Sequence, residues 1–369
     1  MFIKNVWYIA GHSEELASGS VLGRTIAGER IVFCRKDDDG VYALEDRCPH
    51  RRAPLSMGEM ISGAFLRCPY HGITFDSAGK CVSVPGQERF PGEWQIRAYP
   101  VLERDRYLWV WVGDPARCKD EISIPDFLKF GEPPYESRSG LLEVAGDYRL
   151  LVDNLLDPTH TEFVHPTSFG SSDFRASREA GATPHQRTAA FEVDMRDDGI
   201  GFVFELKDVR GGPCLGKAYA MRAGKEIHDG TIDIRLDVSW QPPGLFLYSA
   251  AIKPAGTRDE QALRLINLHL VTPETAYTTH YFYRCSVLNT NGNPGIMDFW
   301  EDVTLTALNE DKRIIEAQQQ VIGEHDLFEE RLWSIQGDQM SIRGRRILEA
   351  MVAAESGTQS SLLATGLRS

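Results

Sequence analysis

The stretch CPHRRAPLSMGEMISGAFLRCPYHG, residues 48–72, carries the chain's densest metal-binding chemistry. It reads C-x-H, then seventeen residues, then C-x2-H. Two thiolates and two imidazoles can hold one metal centre. A zinc finger of the Cys2His2 type groups its two Cys together and its two His together, whereas here each loop holds one of each. That arrangement suits a Rieske-type [2Fe-2S] centre, with Cys48 and Cys68 on one iron and His50 and His71 on the other. Neutral imidazoles in place of two thiolates raise the reduction potential of such a cluster. Pro49 and Pro69 follow the two Cys at matching positions, as two tight loops gripping one object require. The remaining Cys34, Cys81, Cys118, Cys214 and Cys285 read as small buried hydrophobes.

A cluster that passes single electrons needs an acceptor. The segment DNLLDPTHTEFVH, residues 153–165, contains Asn154, Asp157, His160 and His165. Five helical steps turn about 140° beyond a full turn, so the two His do not share a face of a regular helix. A break near Pro158 is expected to bring both inward. Asp157 followed by Pro158 resembles a helix start, with Asp as cap. Two His plus one carboxylate hold Fe(II) and leave positions open. The residues alone leave that carboxylate open among Asp298, Glu301, Asp302 and Asp311, and H-x4-H alone also fits packing or surface imidazoles.

The elements around these residues divide the chain. Residues 1–115 read as all-β: RIVFCRK, VYALED, GAFLRC, GITFDSAGKCVSV with its SAG turn, and RYLWVWVGDP are short strands between turn signals. Residues 116–140 are rich in Pro, Gly and charge and are expected to form an irregular crossing. Residues 141–350 read as an α+β domain. DYRLLVDNLLDPTHTEFVH is expected to be helical, with Leu151, Leu155 and Leu156 as buried candidates. Strands are expected at 200–206, 231–240, 245–252 and 261–270, and helices at 299–322 and 347–355. Trp300, Val303, Leu308, Ile314 and Ile315 form the apolar stripe of the longer helix. Residues 351–369 are expected to end in a flexible tail.

The formal net charge of -13 and pI near 5.3 argue against nucleic acid as a partner. They suit docking against a basic face of another protein. The N-terminus lacks a signal-peptide pattern, and no apolar window is long enough to span a membrane. The odd count of seven Cys makes a disulfide framework improbable, so a reducing cytoplasm is expected. Neither G-x-G-x-x-G at the head of a βαβ unit nor G-x4-G-K-[ST] occurs, so NADH is not expected to bind this chain.

The loops CPHRRAPLS and CPYHGITF resemble those of the Rieske non-haem iron oxygenases. The pattern N-x2-D-x2-H-x4-H matches that family in full. NVWYIAGHSEEL, DYRLLVDNLLDPTH, LVTPETAYTTHYF and ALNEDKRIIEA are similar to its vanillate O-demethylase and dicamba monooxygenase branch. The resemblance implies an N-terminal all-β Rieske domain followed by an α+β catalytic domain, whose antiparallel sheet and helices hold a mononuclear iron. It implies His160 and His165 as iron ligands, with Asp311 as the third and Asp302 as second choice. It places Asn154 near the iron. It gives Asp157 a bridging role between His160 and the partner subunit's His71, and hence a head-to-tail homotrimer. It implies one [2Fe-2S] cluster and one Fe(II) per chain, with NADH used only through a separate reductase carrying flavin and a ferredoxin-type iron–sulfur centre. The branch attacks methoxy or methyl groups of aromatic acids, so O-demethylation to a phenol and formaldehyde is expected. Hydroxylation of a methyl group or ring carbon, and cis-dihydroxylation, use the same irons. Pro166 after His165 departs from the dicamba enzyme's branch, which can carry Arg there. A stand-alone electron carrier would need only the first domain.

Overall fold

The protein is described by a computed structural model covering residues 2–118, 133–157, 159–166, 168, 190–195, 199–209, 214–224, 231–327, 332–335 and 337–356. The chain divides into two compact units, Met1–Ile124 with Thr272–Ala276, and Pro125–Val271 with Tyr277–Ser369.

The first unit is all-β. Its strands are β1 (Val6–His12), β2 (Val21–Ile26), β3 (Glu29–Arg35), β4 (Val41–Glu45), β5 (Glu59–Ile61), β6 (Phe65–Arg67), β7 (Thr74–Phe75), β8 (Cys81–Ser83), β9 (Ala98–Tyr99), β10 (Val101–Arg104) and β11 (Tyr107–Val112). They form three antiparallel sheets in the orders β1-β11-β10, β2-β3-β4-β9 and β5-β6-β7-β8. β11 is the middle strand of its sheet and is buried at every position, which is why YLWVWV is apolar without alternation. Leu55, Leu66, Ile73, Phe75 and Ile96 pack with Cys48 and Cys68 in one cluster, so apolar packing fixes both Cys loops from behind. Cys34 and Cys81 join that core as expected, whereas Cys118 is only half-buried. Gly79 closes the SAG turn at φ +80°, and a Cβ there would collide with the Ile96 carbonyl.

The second unit is α+β. Its strands are β12 (Glu136–Val144), β13 (Ala190–Met195), β14 (Ile200–Val209), β15 (Ile232–Gln241), β16 (Leu245–Pro254), β17 (Leu263–Thr275) and β18 (Thr278–Leu288). They form one sheet in the order β12-β18-β17-β16-β15-β14-β13. Its helices are α1 (Tyr148–Leu156), α2 (Thr161–Val164), α3 (Leu215–Ala223), α4 (Gly295–Ile322) and α5 (Gln339–Ser356). No helix among the described residues is long and apolar enough to cross a membrane.

Differences from the sequence reading have local causes. β12 begins inside the interval expected to be irregular; its ESRSGLLEV is half polar because most of its side chains stay exposed or half-buried. α3 was not expected, since LGKAYAMRA buries little beyond Gly216 and Ala218. The last helix begins at Gln339 and runs to Ser356, into the interval expected as tail; residues 357–369 lie outside the described residues. In α4, Trp300, Val303, Leu308 and Ile315 face the core, but Ile314 is exposed. The buried stripe instead runs through Thr304, Ala307, Leu308, Asp311 and Ile315.

Four polar ties hold α1. The Asp147 carboxylate accepts the Arg149 N–H at 2.9 Å and caps the helix, and the buried Arg149 guanidinium pairs with Asp147 and Asp326. Gln319 Oε1, near the end of α4, accepts the Asp147 N–H at 2.8 Å. On the other side, Arg345 of α5 donates to both Asp153 oxygens at 2.9 and 2.7 Å. Leu151, Leu155 and Leu156 are buried beneath. Breaking one partner of such a buried pair typically costs about 3–5 kcal/mol. The segment that follows α1 therefore leaves a rigid platform, and the site residues lie in it.

Two candidate metal centres

The two Cys loops of the first unit share one hydrogen-bond scheme. Cys48 N–H donates to the Ala53 carbonyl at 2.9 Å, and Cys68 N–H to the Ile73 carbonyl at 2.8 Å. Arg52 N–H returns to the Cys48 carbonyl at 2.9 Å, and Gly72 N–H to the Cys68 carbonyl at 3.1 Å. The residue four places after each Cys has positive φ, +63° at Arg52 and +74° at Gly72. The loops are therefore structural repeats, although their His sit at different offsets. Cys48 and Cys68 are buried, while His50 and His71 are exposed with ring centroids 4.6 Å apart. Burial pushes the Cys48 thiol up to about 11, and the adjacent Cys68 sulfur adds to it, so a bound cation must displace that proton. Partial desolvation, with His50 and Arg51 alongside, holds His71 below its ordinary 6.5, in the neutral form a ligand needs. Paired sulfurs inside and paired imidazoles outside fit a [2Fe-2S] cluster with one edge at the surface. Arg51 and Arg52 are exposed beside it.

The second centre is built on α1, α2 and α4. Asp157 ends α1, and its Oδ1 accepts the Thr159 N–H at 2.7 Å and the Thr159 hydroxyl at 2.6 Å. It thus caps a turn, and the new helix starts later, with His160 as its cap; Pro158 lies outside the described residues. His160 and His165 bracket the single turn of α2. His160 keeps helical angles, but His165 leaves the helix at φ -105°, ψ 60°. α1 has already ended at Leu156, on the near side of Pro158, and with the exit at His165 the two rings stand 5.2 Å apart.

Asp311 meets both. Its Oδ1 is 3.5 Å from His160 Nε2 and 3.4 Å from His165 Nε2, and one ligand atom from each of the three residues lies within 4.8 Å of the others. Asp311 is only 6% exposed, with no cation among its described neighbours beyond the two imidazoles. Burial raises its carboxyl above its ordinary value, against the pull of the two His. Burial also lowers His160. A desolvated carboxylate facing two imidazole nitrogens fits a divalent cation. Asn154 Nδ2 donates to Asp311 Oδ1 at 3.0 Å. The other carboxylates weighed from sequence stay outside the group: Asp298 is 71% exposed at its side chain and pairs with Arg138, as does Glu301, and Asp302 is exposed.

One residue escaped the sequence reading. Glu310 Oε2 lies 3.0 Å from His165 Nδ1 and accepts the Ser168 hydroxyl at 2.7 Å. In sequence it was one of four consecutive charges. Only its helical phase beside Asp311 could have marked it. Behind the site, β16 and β17 place Tyr248 and His269 on one sheet face, with Tyr281 of β18 bonded to His269 Nδ1 at 2.7 Å.

The comparisons with known proteins agree with this arrangement. A Rieske [2Fe-2S] domain matches residues 6–100, and the vanillate O-demethylase oxygenase C-terminal domain matches residues 144–354. The dicamba O-demethylase oxygenase component of Stenotrophomonas maltophilia is 37% identical over 86% of this chain and 88% of its own length. A putative toluene-4-sulfonate monooxygenase iron-sulfur subunit of Comamonas testosteroni is 32% identical over 97% of this chain and 99% of its own. The crystal structure of dicamba monooxygenase bound to dicamba superposes with a TM-score of 0.82 at 32% identity, covering 96% of this chain and 99% of that one. The cofactors are accordingly a Rieske [2Fe-2S] cluster and a mononuclear non-haem iron. This chain belongs to the Rieske non-haem iron oxygenases, as the oxygenase component of a multicomponent monooxygenase in the branch of the dicamba and vanillate O-demethylases.

Proposed function

We propose that the chain O-demethylates a methoxylated aromatic acid. The observation that carries this is the 37% identity to a dicamba O-demethylase oxygenase component, extending across both domains. Cys48, His50, Cys68 and His71 hold the cluster, and His160, His165 and Asp311 hold the iron. Loaded with metal, the two centres supply single electrons and O2 activation next to the substrate. A methoxyarene, O2, two electrons and two protons give a ring-bound O–CH2OH hemiacetal and water. The hemiacetal then collapses to the phenol and formaldehyde.

The chain's own residues set the surroundings. Asn154 steadies Asp311 through its 3.0 Å bond. Asp157 joins His160 to the partner subunit's His71 in a head-to-tail trimer, where a carboxylate between two imidazoles gives a short electron path. His269 is buried, and desolvation lowers its imidazole to about 3, so it stays neutral. With Tyr281, Tyr248 and Asn267 it offers a few polar groups on a sheet face that also carries the apolar Phe246. A compact aromatic acid needs an apolar slot with sparse, fixed polar contacts. Electrons come from NADH through a separate reductase, whose flavin and ferredoxin-type centre complete the chain of carriers in the cytoplasm.

A second reading is hydroxylation of a ring methyl group. It is favoured by the full-length similarity to a putative toluene-4-sulfonate monooxygenase subunit, since that compound carries a methyl and no methoxy group. The two are separated by supplying NADH, a compatible reductase and a panel of methoxy-, methyl- and unsubstituted aromatic acids. Formaldehyde and phenol in step with NADH use support O-demethylation. Coupled turnover confined to methyl or bare-ring acids, without formaldehyde, defeats it.

A further inference from the structure

The two imidazoles of the iron site are held differently at their outer nitrogens. Among the described residues, His160 Nδ1 is buried without a hydrogen-bond partner; a carboxylate oxygen of Asp157 is 3.8 Å away. His165 Nδ1 is 3.0 Å from Glu310 Oε2. The His165 side chain is 2% exposed and that of Glu310 14%. Ser168, itself buried, donates its hydroxyl to the same Oε2 at 2.7 Å, so one carboxylate oxygen gathers two donors. Glu310 and Asp311 are neighbours on α4, about 100° apart around the helix. Asp311 meets the inner nitrogen of His165 and Glu310 the outer one.

Resting on the reading that His160, His165 and Asp311 hold the iron, we propose that Glu310 is a positioning residue for His165. It accepts Nδ1–H, leaves Nε2 as the metal-binding nitrogen, and raises the donor strength of the ring through its negative charge. A carboxylate behind a ligand imidazole fixes its tautomer and orientation, and removing such a partner typically weakens metal binding about 10–100-fold. Ser168 holds Glu310 in place. The site is therefore asymmetric: His165 is the anchored ligand, and His160 turns its outer nitrogen toward Asp157.

The test is metal affinity. Chain bearing its cluster but stripped of mononuclear iron is titrated with Co(II) by equilibrium dialysis. Low-temperature EPR follows the cobalt while the oxidised cluster is silent. Glu310→Gln, which keeps an acceptor but loses the charge, is expected to weaken Co(II) binding roughly 10–100-fold and to shift its EPR signal. Glu310→Asp is expected to recover part of the affinity, and Ser168→Ala to lose a smaller part. Asp298→Asn, an exposed charge change on the same helix, is expected to bind as wild type. Wild-type Co(II) affinity and spectrum in Glu310→Gln, with binding abolished in His165→Ala, overturns the proposal alone. Undiminished binding in His165→Ala overturns the three-residue site itself. Should Glu310→Gln fail to fold, judged by the oxidised cluster absorption, Ser168→Ala decides, and unchanged affinity there overturns the proposal.

Discussion

Asp157 Oδ2 stands 3.8 Å from His160 Nδ1, beyond hydrogen-bond reach, while Asp157 Oδ1 is committed to the backbone and hydroxyl of Thr159. The carboxylate is thus fixed by one oxygen and offers the other beside a buried ring nitrogen that has no hydrogen-bond partner among the described residues. A contraction of under about 1 Å would complete the bond, a change of the size catalytic hydrogen bonds undergo on assembly.

Asp157→Asn tests the electron path. The amide oxygen can still accept both Thr159 bonds, so fold and metal content are expected to survive. The negative charge proposed to lie between the imidazoles is lost. Oxidation of the reduced cluster in a single turnover with substrate and O2 is expected to slow by roughly 10–100-fold. A wild-type rate in this variant counts against the bridging role.

Asp311→Ala tests the third iron ligand. Its side chain is buried on the face of α4 that meets His160 and His165, whereas Asp302 is exposed. The variant is expected to lose the mononuclear iron and all oxygenation, and to keep an unchanged Rieske spectrum. Asp302→Ala is expected to retain both irons. The opposite pattern would move the ligand to Asp302.

Gly72→Ala tests the loop repeat. Gly72 has φ +74°, and an added Cβ would stand 3.0 Å from Pro85 Cγ. The left-handed conformation costs an L-residue about 1–2 kcal/mol, and the crowded proline adds to it. Bleaching of the cluster on heating is expected at a temperature several degrees lower. Arg52→Gly, at the equivalent place in the other loop, is expected to raise it. Equal midpoints for all three proteins would remove the loop strain from the account.

How much of this was legible in sequence depends on the range of each constraint. The Cys loops were fully legible, because ligand type and spacing lie within a single short stretch. His160 and His165 were legible as a pair, but their mode of approach was not. The sequence pointed to a break near Pro158, which itself lies outside the described residues; α1 ends before it and α2 starts after it, but the non-helical ψ of His165 is a backbone angle with no residue signature. Asp311 needed the family resemblance, since helical phase over α4 decides it and Glu310, Asp311, Lys312 and Arg313 are uniformly charged. Phase taken from Trp300, Val303 and Ile315 would have placed Asp311 inside, but Ile314 blurred the stripe. β12 and α3 were missed because each buries too few side chains to leave a period. β11 was plain because both of its faces are buried.

Glu103→Gln tests how a single ion pair stabilises the cluster-bearing unit. Glu103 of β10 meets the buried Arg35 guanidinium with both oxygens, at 2.9 and 3.0 Å, and Arg35 Nε also donates to the Leu16 carbonyl at 2.6 Å. The hydrogen bond from Arg35 holds the Glu103 carboxyl below its ordinary 4.5, against the opposing effect of burial. A carboxylate with a depressed folded-state value binds fewer protons folded than unfolded. Its contribution is therefore fully present above 4.5 and is lost as pH falls through the lower folded-state value. Because Glu103 is about one-third exposed, solvent screening limits that contribution to about 0.5–1 kcal/mol. Far-UV circular dichroism melts of wild type and Glu103→Gln are expected to differ by a few degrees at about pH 7, with wild type the more stable. The gap is expected to narrow as pH falls below 4.5 and to close once the Glu103 carboxyl is protonated in the folded state as well, because every other carboxylate titrates alike in both proteins. A gap that stays constant down to that acidity would assign the loss to packing around Arg35 instead of to the charge.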